Sequence, residues 1–260
     1  MTGSLLQYAL ALGSGSLVGL SLGLVGGGGS ILAIPLLTYV VGVTNAHVAI
    51  GTSAIAVALN AAASLALHGR AGSVKWRCAS VFTVAGAVGA FLGSTLGRMI
   101  NPNHLLTAFA LLMFVVGILM LKNRRQEGLP DVKLSRENLP SLVTLGLASG
   151  LLSGFFGIGG GFLIVPALVF ATKMPMRYAI GSSLVAVTAF GLTTSINYAA
   201  AGLVDGYIAA AFIAGGIAGS ALGTRLTGLL AARRGALNTG FALLIFVIAT
   251  YTLVRSTIAD

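Results

Sequence analysis

The chain has 260 residues, of which 57% are apolar, only 8% are charged and 37 are glycine. An average soluble chain is about 25% charged, so this composition excludes a fold that must cover its whole surface for water. The formal charge of +10 comes from basic residues lying between and beside apolar runs, not from a folded basic face, which argues against a nucleic-acid partner.

The opening MTGSLLQYALAL has no basic n-region and no clear processing site, so it reads as a mature first helix. Residues 5–25 make an apolar run long enough to cross a bilayer, broken by Gly26, Gly27, Gly28 and Gly29. A short segment from Ser30 to Val41 follows, with Pro35 inside it, and then long apolar stretches at 46–67, 77–97 and 104–121. The polar stretch KNRRQEGLPDVKLSRENLP is an exposed linker. The pattern then returns at 141–156, breaks at Gly157 to Gly161, and resumes with a short segment to 171 and apolar runs at 177–199, 206–227 and 236–254. The regular alternation of a membrane β-barrel is absent. The expected fold is an all-α polytopic membrane protein: a first transmembrane repeat at 1–121, a cytoplasmic linker at 122–140 and a second transmembrane repeat at 141–260.

The halves repeat in residues as well as in hydropathy. Gly19, Gly23, Gly26, Gly28, Gly29, Leu32, Pro35 and Leu37 lie 131 positions before Gly150, Gly154, Gly157, Gly159, Gly160, Leu163, Pro166 and Leu168. After a one-residue gap, Gly51, Thr52 and Ser53 match Gly181, Ser182 and Ser183, and Gly86, Gly89 and Gly93 match Gly216, Gly219 and Gly223. If each Gly-broken pair enters the membrane and returns, the loops at 68–77, 122–140, 171–177 and 225–235 share one side. They carry thirteen of the fifteen basic residues, leaving only Arg98 and Arg255 opposite. That bias marks the cytoplasmic side and places both termini outside it. Each half then crosses an odd number of times, so the halves are expected to be inverted repeats, with short or re-entrant helices at the glycine breaks.

The breaks carry the candidate chemistry. A helix starting at Ser30 or Phe162 presents free N–H groups in its first turn, and two such starts facing each other at the midplane make an anion cradle. Gly27, Gly28, Gly29 and Ser30 in one half, and Gly159, Gly160 and Gly161 in the other, are its candidate residues. Glycine used only for tight turns is the alternative. Pro35 and Pro166 are structural helix breaks at matched places. Thr52, Ser53, Ser182 and Ser183 are candidate secondary contacts, although small hydroxyls also back-bond within membrane helices. Asn60 lies inside an apolar span, where an amide serves either a helix–helix hydrogen bond or the substrate path.

Acidic residues narrow the mechanism further. Glu127, Asp131 and Glu137 sit in the linker, Asp205 in a short loop and Asp260 at the terminus, so a cation cage lacks its usual ligands. A small anion or a neutral solute fits better. The lone Cys78 excludes a multi-cysteine metal centre, and His47, His68 and His104 fall near helix ends without metal-ligand spacing. No cofactor or metal site is read from the chain. Proton coupling through a histidine or a titrating substrate, and homo-oligomerisation, stay open; Trp76 between Lys75 and Arg77 fits an anchor at the lipid interface.

The stretches GLSLGLVGGGGSILAIPLL (Gly19 to Leu37) and SGLLSGFFGIGGGFLIVPAL (Ser149 to Leu168), each followed by GTS or GSS, resemble the sulfite exporter TauE/SafE family of membrane permeases. The resemblance covers nearly the whole chain. It implies a multi-pass transporter of the bacterial or archaeal cytoplasmic membrane that moves sulfite, organosulfonates or related small organic anions, usually outward; the inverted halves add the expectation of alternating access. A passive anion channel is the alternative, and no catalytic set points to an enzyme. Ser30 stands where the second half has Gly161, so the two breaks are expected to contribute unequally.

Overall fold

The computed structural model describes residues 4–25, 30–122, 134–229, 243 and 245–255. Its helices are α1 (Leu5–Val25), α2 (Ser30–Val40), α3 (Ala46–Arg70), α4 (Trp76–Arg98), α5 (Pro102–Lys122), α6 (Leu139–Phe156), α7 (Gly161–Thr172), α8 (Met176–Ala199), α9 (Gly206–Leu229) and α10 (Ile245–Arg255). Among the described residues there is no strand.

Six of these helices, α1, α3, α4, α6, α8 and α9, are long and apolar enough to cross a membrane. The 21 residues of α1 reach about 31 Å, the thickness of a hydrocarbon core. By contrast, the 12 residues of α7 reach only about 18 Å. Phe170, Val84 and Ile196 are 80%, 69% and 68% exposed, an outward apolar surface that suits lipid and not water.

Packing follows the repeat. The principal pairs are α1 with α9, α4 with α6, α3 with α8, α4 with α8 and α3 with α9. Moving one half onto the other turns the α1–α9 pair into α6–α4 and the α3–α9 pair into α8–α4, and it returns α3–α8 to itself. The two closest pairs are held by small residues one turn apart. Gly15, Gly19 and Gly23 of α1 lie on the Phe212, Gly216 and Ser220 carbonyls of α9, at a constant separation of 197, so these helices run parallel. Gly146, Gly150 and Gly154 of α6 lie on the Phe82, Gly86 and Ala90 carbonyls of α4, at a constant separation of 64. A methyl on Gly19 or Gly150 would run into the opposing carbonyl, so backbone meets backbone where side chains would hold the helices apart.

Helices α3 and α8 form the centre. His47 meets Tyr198, Val57 and Val187 meet at Gly159, and His68 lies beside Arg177. As α3 advances, its partner on α8 recedes, so these matched helices run antiparallel. The turns that follow them are locked across the halves. Thr52 Oγ1 accepts the Asp205 amide at 3.0 Å, and Ser182 Oγ accepts the Lys75 amide at 2.9 Å.

Candidate functional site

The second glycine break is a tight reversal inside the bundle. Helix α6 closes with the Gly157 amide on the Gly154 carbonyl and the Ile158 amide on the Ser153 carbonyl, each at 3.2 Å. Gly157, Gly159 and Gly160 hold φ angles of +67°, +64° and +66°, left-handed values that other residues rarely adopt. A side chain at Gly159 would stand 3.0 Å from Val57 Cγ1 and 3.3 Å from Val187 Cγ1. These valines occupy matched positions near the middle of their 25- and 24-residue helices. The break therefore reaches between the two central helices at mid-length.

Beyond it, α7 starts at Gly161. The Leu163 and Ile164 amides return to the Gly160 carbonyl at 2.9 and 3.0 Å. No acceptor for the amides of Gly159, Gly160, Gly161 or Phe162 is found among the described residues. Against Gly160 sits Ser153, wholly buried, whose Oγ has no hydrogen-bond partner and lies 2.7 Å from where a Gly160 side chain would begin. On the other flank Ser53 Oγ donates to the Ile50 carbonyl at 2.9 Å and to the Gly157 carbonyl at 3.4 Å.

The electrostatics are one-sided. The first turn of α7 contributes the positive end of its dipole. The described carboxylates lie elsewhere: Glu137 precedes α6, and Asp205 Oδ1 caps α9 by accepting the Tyr207 and Ile208 amides at 3.1 and 3.0 Å. Backbone amides and a serine hydroxyl can solvate an anion through neutral donors, without a proton transfer. Among the described residues no three His, Cys, Asp or Glu side chains are placed to hold a metal ion.

The structure draws together Gly159, Gly160, Gly161 and Ser53. Thr52 and Ser182 face the turns of the opposite half, where they accept backbone amides. Ser183 Oγ donates to the Ile180 carbonyl at 2.8 Å. Gly27, Gly28 and Gly29 lie outside the described residues, while Ser30 is buried at the start of α2. Pro35 is buried in α2, which widens to a π-type winding over Leu36–Val40, and Pro166 sits inside α7. Both prolines lack the amide that would continue the regular ladder.

Asn60 stands apart, on α3 against Gly216 of α9. It is wholly buried, and neither its amide nitrogen nor its oxygen has a partner. The matched place in the other half, against Gly86, holds Phe190. The repeat therefore puts a stranded amide on one side and an aromatic ring on the other. Ser153 was not legible from the repeat either, because its counterpart is Leu22; the only signal was its place in the turn before the break.

The profile of the family described as Sulfite exporter TauE/SafE matches residues 11–252. The chain belongs to this family. A "Probable membrane transporter protein" of Xylella fastidiosa (strain Temecula1) is 53% identical over 251 residues, which is 95% of each chain. The "Probable membrane transporter protein YdhB" of Bacillus subtilis is 28% identical over 220 residues, covering 82% of this chain and 88% of its own. A similarly named protein of Methanocaldococcus jannaschii is 29% identical over 209 residues, covering 78% of this chain and 76% of its own. No solved structure matches. With its apolar helices, this TauE/SafE family member is a multi-pass membrane transporter.

Proposed function

We propose that the protein carries small anions, sulfite or organosulfonates foremost, out across the bacterial or archaeal cytoplasmic membrane by alternating access. The carrying observation is the second glycine break: four amides without an acceptor and the buried Ser153 hydroxyl, presented between α3 and α8 at mid-length. A carrier needs a central site that either half can expose by moving against the other. The antiparallel course of α3 and α8 supports halves related by inversion about that site. Tetrahedral and pyramidal sulfur oxyanions offer several acceptor oxygens to such a donor set, and the membrane-embedded part offers no carboxylate that would repel them. The charged loops of α3–α4 and α7–α8 favour a cytoplasmic linker, with both termini on the other side.

Reconstituted protein loaded with sulfite tests this reading. Uptake of labelled sulfite should accelerate when the vesicle interior holds unlabelled sulfite, and planar bilayers should show no unitary currents. Discrete currents without exchange would assign a channel, and absence of anion movement would remove the reading altogether.

A further inference from the structure

We propose a second anion-binding site at the mouth of the bundle where α3 begins and α4 and α8 end, formed by Arg98, His47 and Tyr198. Tyr198 is wholly buried and its hydroxyl has no hydrogen-bond partner. His47 Nδ1 and Arg98 Nε are likewise buried without partners. The His47 and Tyr198 rings lie 6.3 Å apart, and Arg98 is an electrostatic neighbour of both. Three helices thus bring an unpaired guanidinium nitrogen, an unpaired phenol hydroxyl and an imidazole to one place, where the Ile100 carbonyl serves the His47 ring.

The surroundings deepen the deficit. A part-buried guanidinium ordinarily takes a carboxylate; the described carboxylate at this end, Asp205, has its amide on Thr52 and uses Oδ1 to cap α9, while Glu137 precedes α6. The neighbouring Asn197 is satisfied, its amide donating to Ser94 Oγ at 2.7 Å and Thr95 Oγ1 at 2.9 Å. That contact pins the end of α8, next to Tyr198, to α4. Guanidinium and phenol donors at one point, beside an imidazole, suit a compact oxyanion with several acceptor oxygens.

The repeat supplies an independent argument. At the opposite end of the bundle, His68 takes the place of Tyr198 and Arg177 that of His47. There too a ring nitrogen, His68 Nε2, is buried without a partner beside an arginine, while His68 Nδ1 pairs with Ser73 Oγ at 3.0 Å. Each mouth therefore joins an arginine to a ring whose polar atom is buried without a partner, and the central site lies between them. The inference rests on the anion-carrier reading for the identity of the ion, which would be sulfite on its way in or out.

The test uses the full chain in right-side-out and inside-out proteoliposomes, with sulfite as probe. Arg98→Gln and Tyr198→Phe should each raise half-saturating sulfite about tenfold at the face bearing Arg98, with half-saturation at the other face changed by less than about twofold. Arg98→Lys should recover most of the loss. Equal shifts at both faces, or none, overturn the site. Should Arg98→Gln fail to insert, Tyr198→Phe removes a single oxygen atom and carries the same readout. If the wild-type protein moves no anion, the carrier reading fails, and the mouth is then judged by sulfite-dependent thermal stabilisation of the purified protein. A shift lost in Tyr198→Phe supports the site, whereas no shift in the wild type, or an undiminished one in the variant, overturns it.

Discussion

Replacing Asn60 by Leu should make the protein more stable and a poorer transporter. Asn60 is wholly buried, and neither polar atom of its amide has a partner. A buried polar group left in that state costs about 1–3 kcal/mol. Leucine keeps the fork at Cγ and removes both polar atoms, but its methyl groups need more room against the Gly216 backbone, which recovers only part of the penalty. A net gain of about 1–2 kcal/mol follows, or a few degrees in unfolding temperature for a chain of this size. If the amide is kept for the transported anion, sulfite flux should fall by about tenfold, the loss expected for one hydrogen bond to a charged group. Thermal unfolding in detergent and flux in proteoliposomes read the two effects on one preparation. A lower unfolding temperature with undiminished flux would refute the reasoning and make Asn60 a packing residue.

Gly150→Ala should prevent stable assembly, because its methyl meets the Gly86 carbonyl, whereas Gly13→Ala, with nothing within 4 Å, should be neutral or mildly stabilising; size-exclusion profiles of the two variants compare them. Thr52→Val and Ser182→Ala each strand a backbone amide at the turn of the opposite half, so each should lower stability by about 1–2 kcal/mol with little change in the sulfite half-saturation of the surviving protein. Cysteine labelling from outside intact cells should reach positions beside either terminus and spare the linker at 122–140; labelling of the linker with protected termini would reverse the topology.

Much of this architecture was legible because membrane helices declare themselves by composition and because the halves repeat. The breaks at Gly157 to Gly161 and the short helix after them follow from local residue chemistry. What periodicity cannot give is partnership. That Gly89 and Gly93 serve α6, and Gly219 and Gly223 serve α1, depends on how the halves interleave. Thr52 and Ser182 illustrate the same limit: a hydroxyl early in an apolar helix looks available to substrate, but here each receives an amide more than 100 residues away. Ser153 and the pairing of Asn60 with Phe190 were hidden for the opposite reason. Matching the repeats draws the eye to what the halves share, and these residues matter where the halves differ.

The central claim is that the second glycine break holds the transported anion, and the most direct measurement is labelled sulfite flux through wild-type, Ser153→Ala and Gly159→Val proteins in matched proteoliposomes. The account predicts sulfite flux in the wild type, inhibited by small sulfonates and indifferent to monovalent and divalent cations. It predicts a rise of about tenfold in half-saturation for Ser153→Ala and no flux for Gly159→Val, whose branched side chain meets Val57 and Val187. Cation flux without anion flux in the wild type, or sulfite kinetics unchanged in both correctly folded variants, would contradict it.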